Sequence, residues 1–118
     1  MTRLHRGDIV LVSLDPTIGT EANKTRPCVV VSNAAVTAAA SLRGNGVVTV
    51  IPLTSNVARM WPNHVLLRSS ATGLPTDSKA QTEQIRAIDV RRILNVIGSV
   101  PAEHMAEVDE AIRFHLAV

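Results

Sequence analysis

The chain has 118 residues, 46% apolar and 19% charged, which is enough for one domain with one core and too short for several. Only Trp61 and Phe114 are aromatic, so Val, Ile, Leu and Ala must fill the core, and an RNA platform built from several stacked aromatics is disfavoured. The net charge of +2 is unevenly spread: residues 101–118 set four acidic side chains against Arg113, which leaves the first hundred residues at +5, a balance that suits a polyanionic partner.

The opening Met1–Arg6 has no apolar stretch of the kind a leader needs. No run of about 18 apolar residues occurs either, so a cytoplasmic protein without a membrane span is expected. Asp8 to Leu14 is β-branched and reads as a first strand ended by Asp15-Pro16. Residues 15–26 carry Pro, Gly, Asn and charges with little to bury, which predicts a long mobile loop. Pro27 is expected to open a second strand, Cys28 to Ser32, because proline is tolerated at a strand's first position. Asn33 is a plausible cap for a short helix over 34–42, followed by the turn Arg43-Gly44-Asn45-Gly46.

Val47 to Leu53 is a continuous apolar strand, expected to be buried on both faces. A loop over 56–63, a strand over His64–Leu67 and a turn-rich connection over 69–78 follow. Residues 78–86 read as one strand, Asp89 as the cap of a short turn, and Leu94–Val100 as the last strand. Pro101 suits the first position of a helix. Met105, Val108, Ile112 and Leu116 then recur at spacings of three and four as one apolar stripe. Many short strands and a terminal helix make the fold class mainly β with short helices, a small half-open barrel.

Three polar segments stand beside these apolar runs. They are Gly19–Pro27, Val47–Ser55, whose apolar run ends in Thr54-Ser55, and Lys79–Asp89. Together they supply a fixed cation, a hydroxyl, a carboxylate and amides, a workable set for binding and cleaving a phosphodiester. These segments, with Arg6-Gly7-Asp8-Ile9-Val10 and Asp15-Pro16, resemble the MazF/PemK family of toxin endoribonucleases over nearly the whole chain. The resemblance implies one toxin domain over 1–118, an SH3-like half-open barrel of the PemK/CcdB type and a homodimer. It also implies cleavage of single-stranded RNA at a short sequence, without a metal or other cofactor. The partner would be an antitoxin whose disordered segment folds on binding.

Such cleavage uses the ribose 2′-OH as nucleophile, which yields a 2′,3′-cyclic phosphate and a 5′-OH. It needs a base, charge stabilisation on the phosphate and a proton for the leaving oxygen. Arg26 is the first candidate, because a guanidinium forks onto phosphate oxygens and stays charged at any working pH. By resemblance it is the family's Arg before Pro, which contacts the scissile phosphate. Thr54, at the end of a buried strand, is placed to hydrogen-bond the phosphate or the 2′-OH, and Ser55 can add a second bond. Glu83 is the candidate base. On a strand it would share a face with Gln81, with Thr82 and Gln84 on the other. Relatives that use an acid there carry an Arg where this chain has Gln81. Glu83 can alternatively read a base edge or hold Arg26 or Arg86. Glu21, Asn23, Lys24, Gln81 and Gln84 are the candidate RNA contacts.

The remaining signals are bland. Cys28, the only cysteine, reads as a buried small hydrophobe, and no Cys or His spacing suggests a metal site. The four histidines lie outside the polar segments. Arg91 and Arg92 read as a solvated edge. Trp61, beside Met60 and Pro62, fits the core, a dimer interface or an antitoxin groove and reads best as an apolar interface, with stacking on a splayed base as the other possibility. The rival functions are a CcdB-like gyrase-binding toxin and a barrel that binds RNA without cutting it. The tail Phe114–Val118 lacks the Trp-Gly-Ile ending of the gyrase poisons.

Overall fold

The computed structural model describes residues 3–118; Met1 and Thr2 of the opening segment lie outside it. Seven strands alternate with three helices: β1 (Asp8–Ser13), β2 (Thr25–Val30), α1 (Ala34–Arg43), β3 (Val47–Thr54), β4 (His64–Leu67), α2 (Ser69–Thr72), β5 (Ser78–Gln81), β6 (Arg86–Asp89), β7 (Ile93–Ser99) and α3 (Ala102–Leu116). Single 3-10 turns cover Thr82–Gln84 and Val90–Arg92. All pairings are antiparallel, in the order β4-β5-β3-β2-β1-β7, with β6 paired to β3 as well. The result is a curled, unclosed sheet with short helices, mainly β as expected. Among the described residues no helix is long and apolar enough to cross a membrane.

Alternation along the strands supplies a core on each face of the sheet. Ile9, Val29, Ile51 and Leu53 point to one side, where Met105, Val108 and Ala111 of α3 pack with Val65 and Leu67. Val10, Val12, Cys28, Val30, Val48 and Val50 point to the other, where Leu4, Ala40 of α1, Ile88 and Ile93 close the cluster. This double burial is why Pro27–Val30 of β2 and most of β3 are apolar. The α3 stripe is real at Met105, Val108 and Ile112, but Leu116 lies beyond the sheet and is exposed.

Both strand prolines sit where a missing N–H costs nothing. The Val31 N–H donates to Thr49 O at 2.9 Å, so the odd residues of β2 bond toward β3. The last β2–β3 pair is Cys28 with Pro52. Pro27 therefore aims its nitrogen toward β3 one step past the end of that ladder. It is the third residue of β2, not its first, which corrects the expected start of the strand. By the same alternation Pro52 aims away from β2. On that side β3 pairs β6 through Val47–Val50 and β5 through Leu53–Thr54, so Pro52 falls in the gap between the two ladders.

The gap also corrects the reading of residues 78–86 as one strand. The chain leaves β5 after Gln81, makes one 3-10 turn and re-enters the sheet as β6. The Asn33 and Asp89 caps fall where the sequence put them, whereas Pro101 is the cap of α3 rather than its first residue. Asn33 Oδ1 accepts the Ala35 N–H at 2.8 Å, and Asp89 Oδ1 accepts the Arg91 N–H at 2.9 Å. The Arg91 guanidinium on Asp89 holds that carboxyl down to about 2.

Gly98 of β7 marks a close approach: a Cβ there would meet the carbonyl oxygen of Thr72 at 2.6 Å. Because the obstacle is backbone at the end of α2, Gly98→Ala is expected to destabilise the fold by about 1–3 kcal/mol. Thermal unfolding checks this, and an unchanged melting temperature would contradict the packing described.

Candidate active site

Arg26 leaves β2 on the face that carries Val30 and Cys28, and Thr54 leaves β3 on the same face. Continuing the β2–β3 register past its last pair brings the two side by side. They line one cavity of about 240 Å³ with Ser55, Leu53, Leu74, Pro75, Thr76 and Ser78. Arg26 is braced by its own loop: its Nε donates to Asn23 O at 2.9 Å and a terminal nitrogen to Asn23 Oδ1 at 3.5 Å. Asn23 thus orients the guanidinium and leaves its other N–H groups for an anion. Thr54 Oγ1 accepts the Asn56 N–H at 3.2 Å, a Ser/Thr turn that occupies a lone pair and leaves the hydroxyl proton to donate. Cation and hydroxyl donors in one hollow are what a phosphate needs.

Cys28, two residues on from Arg26, is buried in the core and does not line this cavity. Burial pushes its thiol up to about 12, against the opposing charges of Arg86 and Arg26. Its sulfur sits 3.8 Å from Arg26 O.

Glu83 and Gln84 belong to a second hollow. From the turn Thr82–Gln84, Gln84 points onto the 15–24 loop and Glu83 onto His64, and with Pro16, Glu21, Ala22, Ile85 and Arg86 the two line a cavity of about 370 Å³. Gln84 clamps the loop from both sides of its amide. Its Oε1 accepts the Ala22 N–H at 2.8 Å and its Nε2 donates to Thr20 O at 3.0 Å. Arg86 donates to Leu14 O, and Arg92 to Ser13 O and Asp15 O. The loop expected to be mobile is therefore held at Asp15, Thr20 and Ala22, and Arg92 is one of its anchors rather than a solvated edge.

Because Thr82–Gln84 is a 3-10 turn, the shared strand face of Gln81 and Glu83 does not exist. Gln81 pairs with His64 across β5 and β4 and lines neither hollow. Glu83 holds neither Arg26 nor Arg86. Both its oxygens face Nε2 of His64, at 2.8 and 3.0 Å. His64 Nδ1 accepts the Trp61 N–H at 3.1 Å, so the neutral ring carrying its proton on Nε2 satisfies both partners. Lys24 is exposed with a positive φ of 63° and lines neither hollow. Glu21 is exposed and accepts the Ile18 N–H at 2.6 Å.

The candidates thus fall into two groups, Arg26, Thr54 and Ser55 with Asn23 behind them, and Glu21, Glu83 and Gln84. His64 and Arg86 join the second group without having been singled out. The His64–Glu83 bond spans 19 residues, and no sequence pattern announces it. Among the described residues no three His, Cys, Asp or Glu side chains gather as metal ligands.

The raised Cys28 value has a pH consequence. Its folded value, about 12, lies above the ordinary 9.0, so its contribution to stability is whole below pH 9 and is lost as pH rises toward 12. The native protein is expected to resist a thiol reagent at pH 8 and to take up one equivalent once unfolded. Rapid labelling of the native thiol would contradict the burial.

The chain matches the model of the PemK-like, MazF-like toxin of type II toxin–antitoxin systems over residues 5–116. It is 51% identical over 113 residues to Endoribonuclease MazF9 of Mycobacterium tuberculosis, covering 96% of each chain. It is 32% identical over 116 residues to Endoribonuclease EndoA of Bacillus subtilis, covering 98% of this chain and 96% of the other. Among solved structures, MazF from Deinococcus radiodurans superposes over the full length of both chains with a TM-score of 0.82 at 23% identity. A mycobacterial endoribonuclease in complex with its cognate antitoxin superposes with a TM-score of 0.75 at 20% identity, covering 98% and 96%. With its family model matched almost end to end, this chain belongs to the PemK-like, MazF-like toxins of type II toxin–antitoxin systems.

Proposed function

We propose that the protein is an endoribonuclease toxin, one domain over the whole chain, that cuts single-stranded RNA without a metal. The observation that carries this reading is the hollow in which the braced guanidinium of Arg26 meets the hydroxyls of Thr54 and Ser55. The names of the two curated relatives support the same activity.

In the proposed reaction the ribose 2′-OH gives up its proton to water as its oxygen attacks the adjacent phosphorus, the bond to the 5′-oxygen of the next nucleotide breaks, and that oxygen takes up a proton from water. The products are a 2′,3′-cyclic phosphate and a 5′-OH. Negative charge grows on the phosphate oxygens during this displacement. Arg26 takes that charge as a fixed cation, and Thr54 and Ser55 donate hydrogen bonds to it. Single strands suit the site because in-line attack needs an unstacked backbone.

Glu83, Gln84 and Glu21 line the neighbouring hollow, and we assign them to holding the RNA next to the scissile bond. Both oxygens of Glu83 are already engaged by His64, which favours a fixed acceptor of a base edge over a proton shuttle. Asn23 acts through Arg26. Lys24 and Gln81, outside both hollows, are left as outlying contacts to the strand. The chain is further proposed to form a homodimer and to be covered by an antitoxin that folds on binding. The exposed apolar end of α3, Phe114 and Leu116, offers surface for such contacts.

Purified protein with a long single-stranded RNA in EDTA is expected to give discrete fragments with 5′-OH ends. Arg26→Ala should lower the cleavage rate by about 100-fold or more while melting at the native temperature. Intact RNA from folded native protein would sink the enzyme reading in favour of the gyrase-binding or purely RNA-binding alternatives. Glu83→Gln is expected to keep kcat within about tenfold of native and to alter sequence preference. A loss above 100-fold together with loss of the acidic limb of the pH–rate profile would make Glu83 the base instead.

A further inference from the structure

The loop from Ser55 to Asn63 starts at the phosphate hollow and carries the only tryptophan of the chain. Three buried side chains fasten it from below. The ammonium of Lys79, a residue only 7% exposed, donates to the carbonyl of Arg59. Thr82 donates to Asn63 O through both its hydroxyl, at 2.6 Å, and its N–H, at 3.3 Å. Nδ1 of His64, whose side chain is 2% exposed, accepts the Trp61 N–H at 3.1 Å.

Lys79 is tied to the site by register as well. It pairs directly with Thr54 across β3 and β5, so the two side chains leave the same face of the sheet. The loop is thereby stapled to β5, the strand paired with the end of β3 that carries the candidate catalytic hydroxyl.

These anchors set the place of the indole. Its ring lies over the imidazole of His64, centroids 5.1 Å apart and planes 14° from parallel. The imidazole is itself fixed by its bonds to Glu83 and to the loop. Trp61 remains 54% exposed, and Met60 and Pro62 beside it are exposed too. It is not a core residue. A large apolar ring held outward on a rigid support, with its outer face open, is an arrangement that fits stacking. Arg59, the one charged residue of the loop, is exposed and cationic, which suits an anionic partner, while the Lys79 ammonium is spent on the loop's own carbonyl.

We propose that Trp61 is the stacking platform for a nucleobase flanking the scissile phosphate, with His64 and Lys79 as the positioning residues that present it. The proposal rests on the ribonuclease reading above. Base–aromatic stacking tolerates any base, so the platform would set how the strand lies across Thr54 more than which base is read.

The test uses one single-stranded RNA with a mapped cleavage site and its counterpart bearing 2′-deoxyribose at that site, which cannot be cut. Because Trp61 is the only tryptophan, its fluorescence reports this position alone. The uncleavable RNA is expected to quench it saturably. Trp61→Ala should lower kcat/KM for the cleavable RNA by about tenfold or more, and Trp61→Phe should recover most of that loss, both variants melting like native. If native protein cuts the RNA, Trp61→Ala cuts it equally well and the RNA leaves the fluorescence unchanged, the platform is overturned while the ribonuclease stands. Quenching by an antitoxin segment or by self-association, with none by RNA, would overturn it in favour of a protein contact. Failure of native protein to cut any RNA would remove the reading beneath it, and the proposal with it.

Discussion

The site depends on one constraint in the sheet: β3 cannot keep a single neighbour along its outer edge. It pairs β6 at Val47–Val50 and β5 at Leu53–Thr54, and Pro52, with no N–H to give, occupies the step between them. The chain joining β5 to β6 must therefore leave the sheet at that step, and it does so as the turn Thr82–Gln84. Gln84 and Glu83 project from this turn, one onto the 15–24 loop and the other onto His64. On the inner edge of β3 the same alternation lets Pro27 end the β2 ladder, and it places Arg26 just beyond that end, next to Thr54. Two prolines that lower strand propensity thus mark where pairing stops and where polar side chains become available.

Burial on both faces supplies the rigidity that this arrangement needs. Arg26 and Thr54 extend strands whose inner residues are locked in two separate clusters, so their backbones cannot shift without disturbing the core. The loops that complete the site gain order from hydrogen bonds instead. The 15–24 loop is held by Gln84, Arg86 and Arg92, and the 55–63 loop by Lys79, His64 and Thr82. Each anchor is a bond between side chain and backbone, and all but the His64–Trp61 bond, three residues apart, are long-range. They bring loop ends far apart in sequence to the two sides of one short stretch of β3.

Local chemistry made much of this legible in the sequence. The β-branched run Asp8–Leu14, the Asn33 cap, the turn at Gly44, the strand His64–Leu67 and the Met105–Val108–Ile112 stripe each carry their own signal, and each forms as read. Arg26, Thr54 and Ser55 were legible as a group because they flank apolar strands. What escaped depends on contacts between distant segments. Residues 78–86 look like one strand because Ser78 to Arg86 contain no Gly or Pro; the break comes from the β3 edge, not from their own sequence. The His64–Glu83 bond and the Lys79 anchor are likewise invisible to any short window. So is the fastening of the 15–24 loop, whose composition alone reads as mobile.

The central claim is that the scissile phosphate sits where β2 and β3 end, between Arg26 and Thr54. Its most direct test is an experimental structure of the protein with a single-stranded RNA bearing 2′-deoxyribose at the cleavage position. The account predicts the phosphate on the 3′ side of that sugar within hydrogen-bonding distance of the Arg26 guanidinium and the Thr54 hydroxyl. A strand bound with that phosphate away from both side chains would contradict it.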